Sequence, residues 1–410
     1  MLYQTYQTLR YRTQHKVMKY VAMALPFPVP DLLQGPGSVR KLAGRIQADG
    51  LRHVLVVTDR VLMDLKLPQG FLKSLDKSGV EYTVFSDVQP NPTIENVEDG
   101  VRAYRDNKCD GIVAFGGGSP MDCAKVIGAR ISNWLLPVRW MKGNFKVLLP
   151  IPRIYAVPTT AGTGSETTVA AVITDAQTHE KFAINDLKLI PKVAVLDPEL
   201  MVGLPPHITS TTGMDALTHA VEAYIGLNGT AFTDENAEKA TRLIFENLEI
   251  AYKNGKDMTA RNNMALASYY AGTAFTRAYI GYVHAIAHNL GGLYGVPHGL
   301  ANAVILPHVL EFCRKEAEHK LAGLAVAGGI GKHWEPEEAL AGRFIEKIKS
   351  MNKNMDIPPG IKELKEADIP LIAARALNEA HPDYPVPRIM TLEECEDLVA
   401  RLLVPGNGKA

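Results

Sequence analysis

Two short stretches of this chain hold side chains that could do metal chemistry. Asp215 and His219 stand four residues apart in Gly213-Met214-Asp215-Ala216-Leu217-Thr218-His219. On a helix that spacing puts both on one face, one turn apart. His284-Ala285-Ile286-Ala287-His288 repeats the interval, and His298 follows in Val296-Pro297-His298-Gly299. The whole chain has 12 histidines, so four of them in two such clusters, with one aspartate, stand out. Three neutral imidazoles and a carboxylate suit Fe²⁺ or Zn²⁺ and leave a coordination position open for a substrate oxygen. An isolated Asp–His pair is more often a solvated helix face. The second cluster shifts that balance, because Val283, Ile286, Ala287 and Leu290 imply burial, and buried imidazoles need partners. Spacing alone does not say which four of the five bind.

Two further stretches could hold a phosphate-bearing cofactor. Phe115-Gly116-Gly117-Gly118-Ser119-Pro120-Met121-Asp122 lies between a strand and a helix expected to start near Pro120. Glycines there let backbone approach a pyrophosphate, and the helix N-terminus offers unpaired N–H groups. The pattern is neither GxGxxG nor Walker A, and a bare GGGS is also an ordinary tight turn. The hydroxyl- and glycine-rich Pro158–Glu166 loop follows the strand Ile154–Val157, so it sits at a strand's carboxyl end, where parallel sheets bind ligands. Asp59, after the strand Val54–Val57, could accept from ribose hydroxyls and repel a 2′-phosphate, although Asp also serves as a plain helix N-cap.

These groups must be positioned by an alternating framework. Val54–Val57, Val84–Phe85, Gly111–Phe115, Ile154–Val157 and Val193–Leu196 read as strands, with helical stretches at 59–65 and 95–106. That order predicts a parallel α/β domain. After Pro205-Pro206 the texture becomes helical through Leu403. The expected division is an N-terminal extension at 1–24, an α/β dinucleotide-binding domain at 25–205 and an all-helical metal-binding domain at 206–410.

Composition narrows the class. The 44 basic and 44 acidic residues balance, so no net field favours nucleic acid or an anionic membrane. No apolar run is long enough to span a bilayer. Cys109, Cys123, Cys313 and Cys395 form no CxxC pair and read as reduced thiols of a cytoplasmic protein. The start is basic and acid-free up to Asp31 but poor in serine, which favours a structural extension over a transit peptide.

GMDALTHAVEAY and VHAIAHNLGGLYGVPHG resemble the paired motifs of the iron-containing (group III) alcohol dehydrogenases, and the likeness runs over about residues 25–403. The resemblance implies a dehydroquinate synthase-like fold and a reversible hydride transfer between a small alcohol or aldehyde and nicotinamide C4. It implies Asp215, His219, His284 and His298 as the metal ligands, for Fe²⁺ or else Zn²⁺, with His288 as a proton relay. Gly117, Gly118, Ser119, Thr159, Thr160 and Lys181 are carried over as NAD-binding residues. An acidic residue at Asp59 goes in that family with NAD rather than NADP, and family analogy implies a homodimer. The alternatives are a related reductase or polyol dehydrogenase and a dehydroquinate-synthase-like lyase, whose basic phosphate-binding cluster is not evident here. Arg277 and Tyr279 stand where many members carry small or amide residues, which puts the usual simple-alcohol specificity in question. Phe275, Tyr282 and His381 are further candidates for the pocket wall, with helix core as the plainer account of the two aromatics.

Overall fold

The computed structural model describes residues 2–178 and 180–404, the first five of them by backbone only. The chain divides into two compact units. One comprises residues 27–204 and 256–272, and the other residues 1–26, 205–255 and 273–410.

Among the described residues, the first unit has nine strands: β1 (Asp31–Gln34), β2 (His53–Val57), β3 (Glu81–Phe85), β4 (Gly111–Gly116), β5 (Gly143–Asn144), β6 (Arg153–Pro158), β7 (Ala170–Asp175), β8 (Glu180–Asn185) and β9 (Val193–Leu196). Six of them form one sheet in the order β1-β9-β6-β4-β2-β3, and every pairing in it is parallel. Val54, Val56, Val113, Phe115, Tyr155 and Val157 pack on one face. Leu55, Val57, Ile112, Ala114, Ile154 and Ala156 pack on the other. Burial on both faces explains why these strands are continuously apolar rather than alternating. A second, three-stranded sheet in the order β5-β8-β7 was not anticipated. Its strands carry polar residues such as Thr174, Glu180 and Lys181 that mask a strand pattern in the sequence.

Helices α2 (Ser38–Ala48), α3 (Arg60–Asp64), α4 (Gln69–Lys77), α5 (Ile94–Asp106) and α6 (Gly118–Ser132) belong to the crossovers of this unit; with the second unit's N-terminal helix counted as α1, the numbering follows the chain. Asp59 caps α3, accepting from Leu62 N at 2.9 Å. Thr93 and Asn96 form a capping box at α5. Helix α6 starts at Gly118, two residues before the expected Pro120, so the proline lies in the first turn, where its missing N–H costs nothing. From β2 the chain passes to β3 on one side and then returns to β4 on the other. The strand order therefore reverses between β2 and β4, the switch point where open α/β sheets bind ligands.

The second unit is helical: α1 (Leu2–Ala24), α7 (Pro206–Ile225), α8 (Ala231–Lys253), the end of α9 (Met258–Ala278), α10 (Tyr282–Tyr294), α11 (His298–Cys313), α12 (Glu318–Ala327), α13 (Glu337–Asn354), α14 (Ile369–Ala380) and α15 (Leu392–Ala400). Helices α10 and α11 are largely apolar, and α7 is buried at every position from Gly213 through Ile225, as central helices must be. All four cysteines are buried and unpaired with one another. No described helix is long and apolar enough to cross a membrane.

Candidate metal centre and cofactor loops

Asp215 and His219 project from one face of α7, His284 comes from α10, and His298 is the first residue of α11. One potential ligand atom from each lies within 4.8 Å of all the others. Asp215, His219 and His284 are at most 5% exposed, whereas the His298 side chain is 41% exposed and marks the open side of the cluster. The His219 and His284 rings stack at 4.5 Å.

A carboxylate that the sequence reading passed over holds His284 in place. Glu222 accepts from Gly281 N at 2.9 Å, from Val283 N at 2.8 Å and from His284 Nδ1 at 2.5 Å. With its proton on Nδ1, His284 turns the lone pair of Nε2 toward the cluster, the arrangement that metal-binding imidazoles use. Burial pushes Glu222 up to about 7 against the pull of the Gly281 and Val283 N–H groups. Burial first, then His219, His298 and His288, hold the His284 imidazole well below its usual range, so it stays neutral. The signal for Glu222 was present: it lies seven residues after Asp215 and three after His219, on the same helix face.

Asn302, one turn after His298, is the second residue missed. Its Nδ2 lies 2.6 Å from Asp215 Oδ1, 3.1 Å from His298 Nε2 and 3.2 Å from His284 Nε2. An amide has two N–H groups for these three acceptors, and among the described residues Asn302 Oδ1 is buried without a hydrogen-bond partner. Electron-rich atoms thus converge at one largely buried place around a single amide donor group. The donor set fits a divalent cation.

His288 is turned to a different partner. Its Nδ1 lies 2.7 Å from Glu379 Oε1 on α14, which also accepts from Tyr384 Oη at 2.8 Å. Its ring stacks on that of His298 at 5.3 Å. Glu379 is 91 residues from His288 and gives no local signal in the sequence.

The second-motif neighbours differ in role. Phe275 stacks on the His219 ring at 4.1 Å and 12°, so it touches the cluster. Tyr282 is only 2% exposed; its hydroxyl accepts from Met390 N at 2.8 Å and donates to His381 Nε2 at 2.6 Å, which makes it core. Arg277 lays its guanidinium 4.2 Å over the Phe232 ring. Tyr279 ends α9 with φ 73°, a left-handed conformation that bulky side chains rarely adopt.

In the α/β unit, the cofactor candidates other than Lys181 gather at the carboxyl ends of β2, β4 and β6, three neighbouring strands beside the switch point. Gly116, at φ 154°, admits no side chain, since a Cβ there would come 2.6 Å from Pro120. A Cβ on Gly118 would meet Thr163 at 3.0 Å, and one on Gly117 would meet Thr160 at 3.5 Å, so the two loops touch. Thr159 N donates to Gly116 O at 3.0 Å. Lys181, on β8, donates to Asn91 Oδ1 at 2.8 Å, and Asn91 N donates to Ser119 Oγ at 3.3 Å. Asn91 therefore joins Ser119 and Lys181 into one group, a link the sequence reading did not draw.

Buried polar residues hold the loops together from behind. Asp122 accepts from Ser165 Oγ at 2.8 Å and Val172 N at 3.0 Å. Lys125 Nζ donates to Thr168 O, Thr168 Oγ1 and Ala170 O at 2.9–3.0 Å. Burial pushes Lys125 down to about 8, opposed by Asp122 and Glu166.

Comparison with known proteins places this architecture. Residues 30–198 match the family described as iron-containing alcohol dehydrogenase, and residues 209–403 match the C-terminal family of the same enzymes. The chain is 38% identical to the NAD-dependent methanol dehydrogenase of Bacillus methanolicus, over 92% of this chain and 99% of that protein. It is 42% identical to the 1,3-propanediol dehydrogenase of Klebsiella pneumoniae, over 85% of this chain and 90% of that protein. Among solved structures, a crystal structure of 1,3-propanediol oxidoreductase superposes with a TM-score of 0.89 at 39% identity, covering 92% of this chain and 99% of that one. The chain belongs to the iron-containing alcohol dehydrogenase family.

Proposed function

We propose that this protein is a metal-dependent, NAD-linked alcohol dehydrogenase that also runs as an aldehyde reductase. The observation that carries the reading is the convergence of Asp215, His219, His284 and His298 from three helices onto one buried point. Fe²⁺ is the proposed metal, with Zn²⁺ the alternative that the same donors accept. When bound, such an ion supplies Lewis acidity that lowers an alcohol's pKa or polarises an aldehyde carbonyl.

The chain's own residues do the rest. Glu222 fixes the His284 tautomer, and the half-exposed His298 leaves the substrate side open. Phe275 offers an apolar wall against His219. His288, with Nδ1 on Glu379, is the proposed proton carrier between the substrate oxygen and solvent, the positioned base that general acid–base catalysis requires. Gly117, Gly118, Ser119, Thr159, Thr160 and Lys181 are proposed to hold NAD, with its pyrophosphate at the N-terminus of α6. Asp59 is proposed to select NAD over NADP. A small alcohol or aldehyde as substrate, cytoplasmic residence and a homodimer complete the proposal; the relatives' activities toward methanol and 1,3-propanediol support the substrate class.

Replacement of His284 by alanine tests the reading. Metal content and alcohol-dependent NADH formation should be lost together. Full turnover in metal-free protein would overturn the mechanism.

A further inference from the structure

The family match begins at residue 30, so helix α1 lies outside it. That helix does not stand apart, because one of its faces grips the segment between α14 and α15. Arg12 Nη1 donates to Val386 O at 2.5 Å and Nη2 to Pro387 O at 2.7 Å. His15 Nε2 lies 2.8 Å from Pro382 O, and Gln14 Nε2 donates to Asp383 Oδ1 at 2.8 Å. The Tyr11 ring lies 5.1 Å from that of His381.

The composition of the gripped segment explains the need. His381-Pro382-Asp383-Tyr384-Pro385-Val386-Pro387-Arg388 has three prolines, which donate no backbone hydrogen bond. Its carbonyls need donors from elsewhere. The guanidinium fork of Arg12 satisfies two consecutive ones, which a single ammonium could not do with the same geometry.

The other side of the segment faces the site. Tyr384 Oη donates to Glu379 Oε1 at 2.8 Å, and the same oxygen receives His288 Nδ1 at 2.7 Å. His381 Nε2 accepts from Tyr282 Oη at 2.6 Å, two residues before His284. A continuous path of polar contacts therefore leads from α1 through the 381–388 segment to His288.

We propose that α1 is a strap that fixes the 381–388 segment and, through Tyr384 and Glu379, positions His288 for proton transfer, with Arg12 its anchoring residue. The inference rests on the reading of His288 as proton carrier. Arg12, Tyr384 and Glu379 are positioning residues, since each acts through another.

The test uses the full-length, metal-loaded chain with Arg12→Ala, Tyr384→Phe and His288→Ala. Amide hydrogen exchange across 381–388, metal content, kcat and the KM values for alcohol and NAD are measured for each. Arg12→Ala should speed exchange in the segment and lower kcat by roughly ten- to a hundredfold, the cost of a small misplacement of a reacting group. Metal content and KM for NAD should not change, and added guanidinium ion should restore part of kcat where an alkylamine does not. Tyr384→Phe should lower kcat with the segment still protected, which keeps the idea testable if Arg12→Ala does not fold. Wild-type exchange and kcat in Arg12→Ala, or a loss of kcat that only tracks lost metal, would overturn the strap. Wild-type turnover in His288→Ala would overturn the proton-carrier reading and, with it, the positioning role; the exchange data would then show whether α1 still fastens the segment.

Discussion

Replacing Glu222 with glutamine removes an ionisable carboxyl group and almost no volume from a residue that is 4% exposed. The carboxylate now serves three donors, one on Oε1 and two on Oε2. Glutamine has one carbonyl oxygen, so it must disappoint one side. With that oxygen toward Gly281 N and His284 Nδ1, the Val283 N–H faces an NH₂ group, and an unmet buried donor costs about 1–3 kcal/mol. With the NH₂ group toward His284 instead, Nδ1 becomes the acceptor and the imidazole proton moves to Nε2, which blocks the atom aimed at the cluster. The first orientation keeps metal binding but holds His284 by a neutral partner. Losses of this kind lower metal affinity roughly 10–100-fold, which equals about 1.4–2.7 kcal/mol. Competition with a chelator of known affinity measures the change, and calorimetric melting of the metal-free protein reports the folding cost separately. A folded Glu222→Gln protein with wild-type metal affinity would refute the reasoning.

Two further outcomes are expected. Asp59→Asn keeps an N-cap of equal quality for Leu62 N, so melting should be unchanged, while the ratio of kcat/KM for NADP to that for NAD should rise at least tenfold; an unchanged ratio would leave Asp59 as a cap alone. His381 is pushed down to about 4 by burial, then by His15 and Arg12, so the folded state refuses a proton that the unfolded chain takes up below pH 6.5, and stability is lost as pH falls from 6.5 toward 4. Because the ring is partly exposed, the slope from this group stays below the ~1.4 kcal/mol per pH unit of a single full proton; melting curves of His381→Gln should be flatter over that window, and parallel curves would count against the assignment.

The sheet and the helical second half were legible because their signals are local. Val54–Val57 and Val193–Leu196 are apolar runs of strand length, and α7 onward is rich in helix formers. The hairpin of β7 and β8 escaped because a half-exposed strand such as Glu-Lys-Phe-Ala-Ile-Asn carries as many polar as apolar residues. Within the candidate site, spacing brought out Asp215, His219, His284, His288 and His298, and resemblance narrowed them to the four whose potential ligand atoms converge. Glu222 could have been found by extending the same helical period by one turn. Glu379 and Asn91 could not, since each meets its partner across about 90 residues, and sequence spacing carries no information at that range.

The segment 256–272 counts with the α/β unit although it follows the first three helices of the other one, α1, α7 and α8, in the chain. Tyr269 Oη donates to Pro30 O at 3.1 Å, a bond that spans 239 residues. Gly272 lies so close to the Pro158–Glu166 loop and its flank that a Cβ would come 2.3 Å from Thr167 and 2.7 Å from Gly164. During synthesis, then, the strands of the sheet leave the ribosome well before the piece that completes their unit. At about 5–20 residues per second, the 68 residues between Leu204 and Gly272 imply a delay of roughly 3–14 s. Over that interval the loop against which Gly272 finally packs lacks its cover.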